Sequence, residues 1–215
     1  MFKYLNSNGV NFLPSRHGYQ QKNYTFRLEE DQIEQIIQEA FIKTLAPSFL
    51  VGKLIKATLA SGVCSGISAY VLQRFFETGL KVGEESHYLA VLQSRTWGRP
   101  FILESLHNYF LPFPKRLKRF KDDFGLKGVF IVFLPRALYP KNIYTAHTVV
   151  PYGFSEGLAG ISVFVYDSNY PGDDSRLIRI NKNTGHWVYD DFSADKWLLT
   201  INSMENLTHK VSFLL

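Results

Sequence analysis

The chain has one cysteine among its 215 residues, which excludes an internal disulfide and a multi-cysteine metal site. It also lacks a run of about 18 apolar residues, the length that a membrane-spanning helix needs. Its first residues, MFKYLNSNGVNFLPSRHG, lack the apolar core of a signal peptide. We therefore expect a cytoplasmic protein with no membrane span, and export without a cleaved signal stays open.

Charge is sparse and only mildly biased towards the positive sign. The chain carries 24 Lys and Arg against 19 Asp and Glu, a net charge of +5. The one concentrated basic run is Lys115–Lys121, which indicates either an anionic partner or an ordinary solvated helix face. Because no nucleic-acid recognition motif accompanies it, nucleic-acid binding is not expected. No pattern in the sequence calls for a cofactor or a metal ion.

Apolar residues are plentiful and their spacing changes halfway along the chain. They make up 46% of the residues, with 18 Phe and 12 Tyr, enough for a substantial core. Helical spacing predicts helices at about residues 28–46, 49–60, 64–78, 84–96 and 100–111. Short β-prone runs predict strands at about 128–134, 143–151, 161–167, 176–181, 186–190, 197–202 and 210–214.

This order of elements predicts a single α+β domain across residues 1–215. Residues 1–111 would form a mainly helical lobe, residues 112–127 a basic connector, and residues 128–215 an antiparallel sheet lobe. The candidate functional residues fall in both lobes, so we expect a site in the cleft between them.

The single cysteine, Cys64, follows Ser61-Gly62-Val63 and precedes a run with helical periodicity. This pattern places the thiol at the first turn of a helix, where unpaired N–H groups and the positive end of the helix dipole favour an anion. A thiol in that position ionises more readily, and the thiolate is the nucleophile. The same N–H groups can hold an oxyanion. The alternative is a buried, inert cysteine.

A thiolate catalyst needs a base, and His147 is the strongest candidate among the 6 histidines, ahead of His186. His147 lies in a strand, and the turn signal at residues 155–160 predicts a hairpin with the following strand. If the two strands of this hairpin pair residue by residue from that turn, Asp167 or Asn169 comes close to His147. Either side chain could hold the imidazole in one tautomer. Asp167 fits better because it lies inside the strand pattern, whereas Asn169 opens a turn and could simply cap it.

Three motifs, Gly62–Ser68, His147–Gly153 and Val165–Gly172, together resemble the papain-like cysteine peptidase superfamily. The similarity is closer to bacterial branches, including the bacteriocin-processing type of peptidase, than to papain itself. It implies a papain-like fold whose central helix opens at the cysteine. It also implies a peptidase or amidase acting on a peptide or protein, with Cys64 as the nucleophile, His147 as the base and Asp167 or Asn169 as the orienting residue.

One departure from the family pattern concerns the oxyanion hole. Papain-like enzymes usually carry a Gln a few residues before the cysteine, and residues 56–63 contain none. Thr58, Ser61, Gln38 or Asn108 are possible substitutes, or backbone N–H groups act alone.

Two further hypotheses follow. The first comes from the missing Gln, and the second from the covalent acyl-enzyme intermediate that a thiol nucleophile forms. The chain could be a catalytically impaired scaffold that binds a peptide, a protein or, through Lys115–Lys121, an acidic partner. It could also be an acyltransferase, in which an amine or alcohol replaces the attacking water.

Overall fold

The structure is a computed structural model, which describes residues 2–3, 11–26, 28–44, 46–76, 85–124, 128–135, 146–158, 160–190, 192–195, 197–208 and 211–212. The predicted end of the cysteine helix near Thr78 and the predicted start of a strand at Ile143 lie outside these residues. The same holds for residues 125–127 of the basic connector and for most of the predicted strand at 210–214.

The helices lie mainly in the first half of the chain. They are α1 (Pro14–His17), α2 (Glu30–Ala40), α3 (Ser48–Ser61), α4 (Cys64–Phe76), α5 (Glu85–Ser94), α6 (Arg99–Phe110), α7 (Phe113–Asp123) and α8 (Glu205–Thr208). Their starts follow local signals: Glu29 and Gln32 form a reciprocal capping box on α2, and proline opens the first turns of α6 and α7. A 3₁₀ turn, Arg95–Trp97, joins α5 to α6.

The strands lie mainly in the second half. They are β1 (Phe2–Lys3), β2 (Phe41–Lys43), β3 (Val129–Pro135), β4 (His147–Glu156), β5 (Gly160–Tyr166), β6 (Leu177–Asn181), β7 (Trp187–Tyr189), β8 (Phe192–Ser193), β9 (Trp197–Ser203) and β10 (Val211–Ser212). In the described part of the chain, one antiparallel sheet has the order β8-β7-β6-β5-β4-β3-β9, and β1 also pairs with β4. The α+β prediction is therefore confirmed: helices precede a curled antiparallel sheet.

Several elements differ from the sequence prediction. The helix predicted over residues 28–46 ends at Ala40, and β2 follows it directly. β2 pairs in parallel with β10, which therefore does not join the main sheet. Phe41 is buried where this pairing occurs, and nothing near Phe41 in the sequence indicates its distant partner. The basic connector is also largely helical, as α7.

Helix α4 occupies the centre of the molecule and is buried on nearly its whole circumference from Cys64 to Gln73. It packs against α5 on one side and against β4 on the other. The approach to α5 is close, because a Cβ added at Gly66 would lie 2.4 Å from the carbonyl oxygen of Leu89. The first turn of α4 is therefore fixed between a helix and the sheet.

Among the described helices, no single one combines the length and the apolarity of a membrane span. The consecutive pair α3 and α4 meets the length and composition test together, but the two helices are bent by 77° at the break between them.

Replacing Gly66 by Ala should lower the free energy of unfolding by about 1–3 kcal/mol, because the new methyl group would overlap the backbone of α5. Gly157→Ala is the matched control, since the nearest atom to its added Cβ lies 3.9 Å away. Denaturant unfolding of both variants measures the difference. Equal stability of the two variants would contradict the close α4–α5 contact.

Candidate active site

Cys64 is the first residue of α4, and the preceding turn fixes its position. Gly62 has a φ of 121°, a conformation that suits glycine, and Val63 donates its N–H to the Asn23 side-chain oxygen at 2.8 Å. The Val63 carbonyl accepts the first helical hydrogen bond, from Ile67 at 2.9 Å. The N–H of Cys64 therefore belongs to the first turn, where the backbone donors have no partner within the helix.

His147 begins β4, and its Nε2 lies 2.9 Å from Oδ1 of Asp167, which directly follows β5. A bulge in β4 makes this contact possible. The β4–β5 register shifts at Tyr152, so that Val150 pairs with Tyr166. Without that extra residue, Asp167 would fall opposite Val150 and project from the face opposite to His147. With it, Asp167 shares the face of His147.

The carboxylate of Asp167 accepts two further hydrogen bonds. The backbone N–H of Asn169 donates to Oδ1 at 2.8 Å, and the hydroxyl of Tyr189 on β7 donates to Oδ2 at 2.5 Å. Asn169 thus contributes its backbone, and the structure places Asp167 rather than the Asn169 side chain against the imidazole. Tyr189 was missed by the sequence reasoning, because only the strand pairing of β5, β6 and β7 brings it to Asp167.

Hydrogen bonds clamp the first turn of α4 to the start of β4. The hydroxyls of Ser65 and Thr148 lie 2.6 Å apart, and Ser68 donates to the carbonyl of Thr148 at 3.5 Å. The Thr148 N–H donates to the Cys64 sulfur, which lies 4.0 Å from the Ala146 carbonyl oxygen. These contacts hold Cys64 next to His147, close enough that each side chain shifts the pKa of the other. Because Nε2 of His147 is bonded to Asp167, the ring atom that serves the thiol is Nδ1.

The electrostatics of this pair favour a thiolate and an imidazolium. Burial raises the pKa of Cys64, but the hydrogen bond and the positive charge of His147, with the Thr148 N–H, outweigh it, so that the net pKa is lowered. Burial lowers the pKa of His147, but the bonds to Asp167 and Cys64 raise it to about 10. Burial also raises the pKa of Asp167, yet the donated hydrogen bonds hold it below its ordinary value.

Aromatic rings fix the plane of the imidazole. The ring of Phe192 stacks on His147 with centroids 5.6 Å apart and an interplanar angle of 17°, and Phe133 lies nearly parallel at 6.4 Å. His147 is 5% exposed. The ring is thus held in one plane with little of its surface open to solvent.

Gln93 on α5 is the side chain that the sequence reasoning did not identify. Its Oε1 accepts the N–H of Gly66 at 2.9 Å, which fixes the orientation of the amide beside the first turn of α4. Among the described residues, Nε2 has no acceptor. Gln93 is 6% exposed and lines, together with Cys64, a cavity of about 280 Å³ between the helices and the sheet. Gln93 therefore carries an amide donor without a described partner in the wall of the cavity that Cys64 also lines.

The side chains proposed from sequence as oxyanion donors are engaged elsewhere. The hydroxyls of Thr58 and Ser61 line the same cavity but donate to backbone carbonyls within α3, at 2.8 and 3.0 Å. Asn108 donates to the carbonyls of Glu104 and Ile201. Gln38 is exposed on α2. Thr58, Ser61 and Asn108 therefore have their donors engaged within the protein, and Gln38 is not among the residues that line the cavity.

The remaining candidates lie away from this group. His186 is on the surface, with Nε2 3.5 Å from the Asp195 carboxylate. In the basic run Lys115–Lys121, most cations are paired within the chain: Arg116 donates to the Leu199 carbonyl at 2.9 Å, and Lys118, Arg119 and Lys121 pair with carboxylates. These contacts favour a role for the run in holding α7 to the sheet and to α6.

Alkylation of Cys64 by iodoacetamide should persist below about pH 8.5, where an ordinary thiol becomes protonated, because the pKa of Cys64 is lowered. In His147→Ala, the positive partner is lost while burial remains, so the inflection should move above the ordinary value. Cys64 is the single cysteine, so mass spectrometry of the intact protein measures the rate directly. An identical pH profile in both proteins would rule out the ion pair.

Comparison of the chain with protein-family models, curated proteins and solved structures finds no match. The resemblance to papain-like peptidases therefore rests on the three motifs, and the chemistry of the site has to be argued from its own geometry.

Proposed function

We propose that this protein is a papain-like cysteine hydrolase that cleaves amide bonds, in the manner of a peptidase or amidase. The observation that carries the proposal is the arrangement of Cys64, His147 and Asp167. In it the pKa of the Cys64 thiol is lowered, the pKa of the neighbouring His147 imidazole is raised, and His147 is hydrogen-bonded to Asp167. A buried cysteine with no catalytic role does not need such a partner. The order of helices followed by an antiparallel sheet, with the cysteine opening a central helix, is consistent with the same proposal.

In the proposed acylation step, the thiolate of Cys64 attacks the carbonyl carbon and a C–S bond forms, while an electron pair moves to the carbonyl oxygen. The tetrahedral intermediate collapses, the C–N bond breaks, and the imidazolium of His147 gives its proton to the leaving amine. Asp167 keeps the imidazole in the orientation in which Nδ1 faces the sulfur throughout.

In deacylation, neutral His147 takes a proton from water, and the resulting hydroxide attacks the thioester. The acid leaves and the thiolate–imidazolium pair returns. If an amine or alcohol takes the place of water, the same steps give acyl transfer, so that both outcomes use one set of residues.

The proposed oxyanion hole consists of the Cys64 N–H and the Nε2–H of Gln93. A donor of this kind stabilises the charge that develops on the carbonyl oxygen, and its loss costs about 10²–10³ in kcat. The hypothesis of an impaired scaffold arose from the lack of a Gln upstream of Cys64. Gln93 supplies an amide from α5 instead, which favours the enzyme over the scaffold.

Cys64→Ser should abolish hydrolysis of a quenched fluorescent peptide library without changing the fold, because the hydroxyl is a far weaker nucleophile at neutral pH. Circular dichroism and thermal unfolding provide the control for folding. Hydrolysis that survives in this variant would remove Cys64 from the mechanism.

Gln93→Glu should lower kcat by about 10²–10³, because the carboxylate keeps the bond from Gly66 but has no proton to donate. Thermal unfolding of the variant separates this role from a purely structural one, because a loss of kcat at retained stability does not come from misfolding. Gln38→Ala, on the exposed side of α2, is the matched control and should behave like the wild type. Unchanged kcat in Gln93→Glu would leave the oxyanion hole to backbone N–H groups.

A further inference from the structure

The cavity beside Cys64 extends away from the thiol between α6 and β3. It has a volume of about 280 Å³. Its main walls are the apolar side chains of Trp97, Phe101, Ile102, Leu106, Val132 and Leu134. A cavity of this size and composition is typical of a site for a small apolar group.

Apart from the Gln93 amide beside the thiol and the hydroxyl of half-buried Tyr109, the polar side chains in the cavity wall are satisfied by the protein. Thr58 accepts from the indole of Trp97 at 2.7 Å, Thr96 donates to the Gln93 carbonyl at 2.8 Å, and Ser105 accepts from Asn202 at 2.7 Å. No charged side chain is among the described residues that line the cavity. A charged occupant would therefore lose its hydration without a partner of opposite charge, and this favours a neutral and mainly apolar occupant.

The apolar surface continues from the cavity to solvent along α6. Leu103, Leu106 and Phe110 occupy one face of α6 and are 48%, 43% and 77% exposed. Leu106 belongs both to this face and to the cavity wall. A compact amino-acid side chain would contact only the cavity itself. A linear chain would also contact the continuous strip, which runs from the thiol to the surface.

We propose that the cavity binds a linear aliphatic acyl chain, so that the favoured substrates of Cys64 are amides or esters of fatty acids. An apolar cavity of ~150 Å³ holds a benzene ring, and on that scale this cavity holds a chain of about eight to ten carbons. The carbonyl of such a chain would lie between the Cys64 sulfur and Nε2 of Gln93. This inference rests on the proposed hydrolase and adds its substrate class.

The kinetic test measures kcat/KM for p-nitrophenyl esters whose acyl chains run from acetate to hexadecanoate. Each ester is used below its critical micelle concentration, and Cys64→Ser provides the blank rate. The value of kcat/KM should rise about two- to fourfold per added methylene up to octanoate or decanoate and then level off or fall. Leu106→Glu should lower the octanoate-to-acetate ratio of kcat/KM at least tenfold. Phe49→Glu makes the same kind of change on an exposed residue at the opposite end of α3 from the cavity, and should leave the ratio unchanged.

A binding test separates this inference from the proposed hydrolase. Octanamide should bind Cys64→Ser saturably by calorimetry, at least tenfold more tightly than butanamide, and Leu106→Glu should weaken it at least tenfold. Turnover of acetate with no gain for octanoate, or tighter binding of N-acetylphenylalanine amide than of octanamide, overturns the acyl-chain site. Octanamide binding without Cys64-dependent turnover of any ester overturns the hydrolase and keeps the site.

Discussion

The relative positions of the side chains at this site depend on the contact between the first turn of α4 and the start of β4. The paired hydroxyls of Ser65 and Thr148 fix the helix to the strand, and the Thr148 N–H faces the sulfur of Cys64. Since His147 precedes Thr148, this one contact sets the position of the His147 ring relative to the Cys64 thiol. The cavity and the Gln93 side chain lie beside it, because α5 and β3 pack on the same two elements.

Burying a thiolate and an imidazolium costs several kcal/mol per ion unless both are compensated. Here each charged group has its own hydrogen-bonding or charged partners. The thiolate has the helix N-terminus and the Thr148 N–H, and the imidazolium has Asp167. Asp167 in turn has the donors Asn169 and Tyr189. Removing any member leaves a buried charge without its partner, which explains why so many polar groups converge on a site otherwise walled by aromatic rings.

Local sequence signals were sufficient for some of this architecture. Helical periodicity after Cys64, and β-prone runs after Gly128, predicted the order of helices and strands because such patterns depend on near neighbours. The predicted hairpin brought Asp167 towards His147, but simple alternation could not say which face Asp167 would take. That face depends on the bulge at Tyr152, and a bulge has no reliable sequence signature.

Gln93 could not have been found in the sequence, since its role depends on how closely α5 approaches Gly66. Likewise, the segment that forms β2 was predicted to continue a helix. Its strand partner β10 lies at the far end of the chain, so the pairing leaves no local signal.

Nitrogen-15 NMR of the His147 ring tests the central claim most directly, since it reports the protonation of both ring nitrogens. His147→Gln identifies the resonances. The ion pair predicts that both nitrogens carry protons at pH 7, consistent with a pKa raised to about 10. A neutral imidazole at pH 7, with an ordinary histidine titration below it, would contradict the thiolate–imidazolium pair and with it the proposed mechanism.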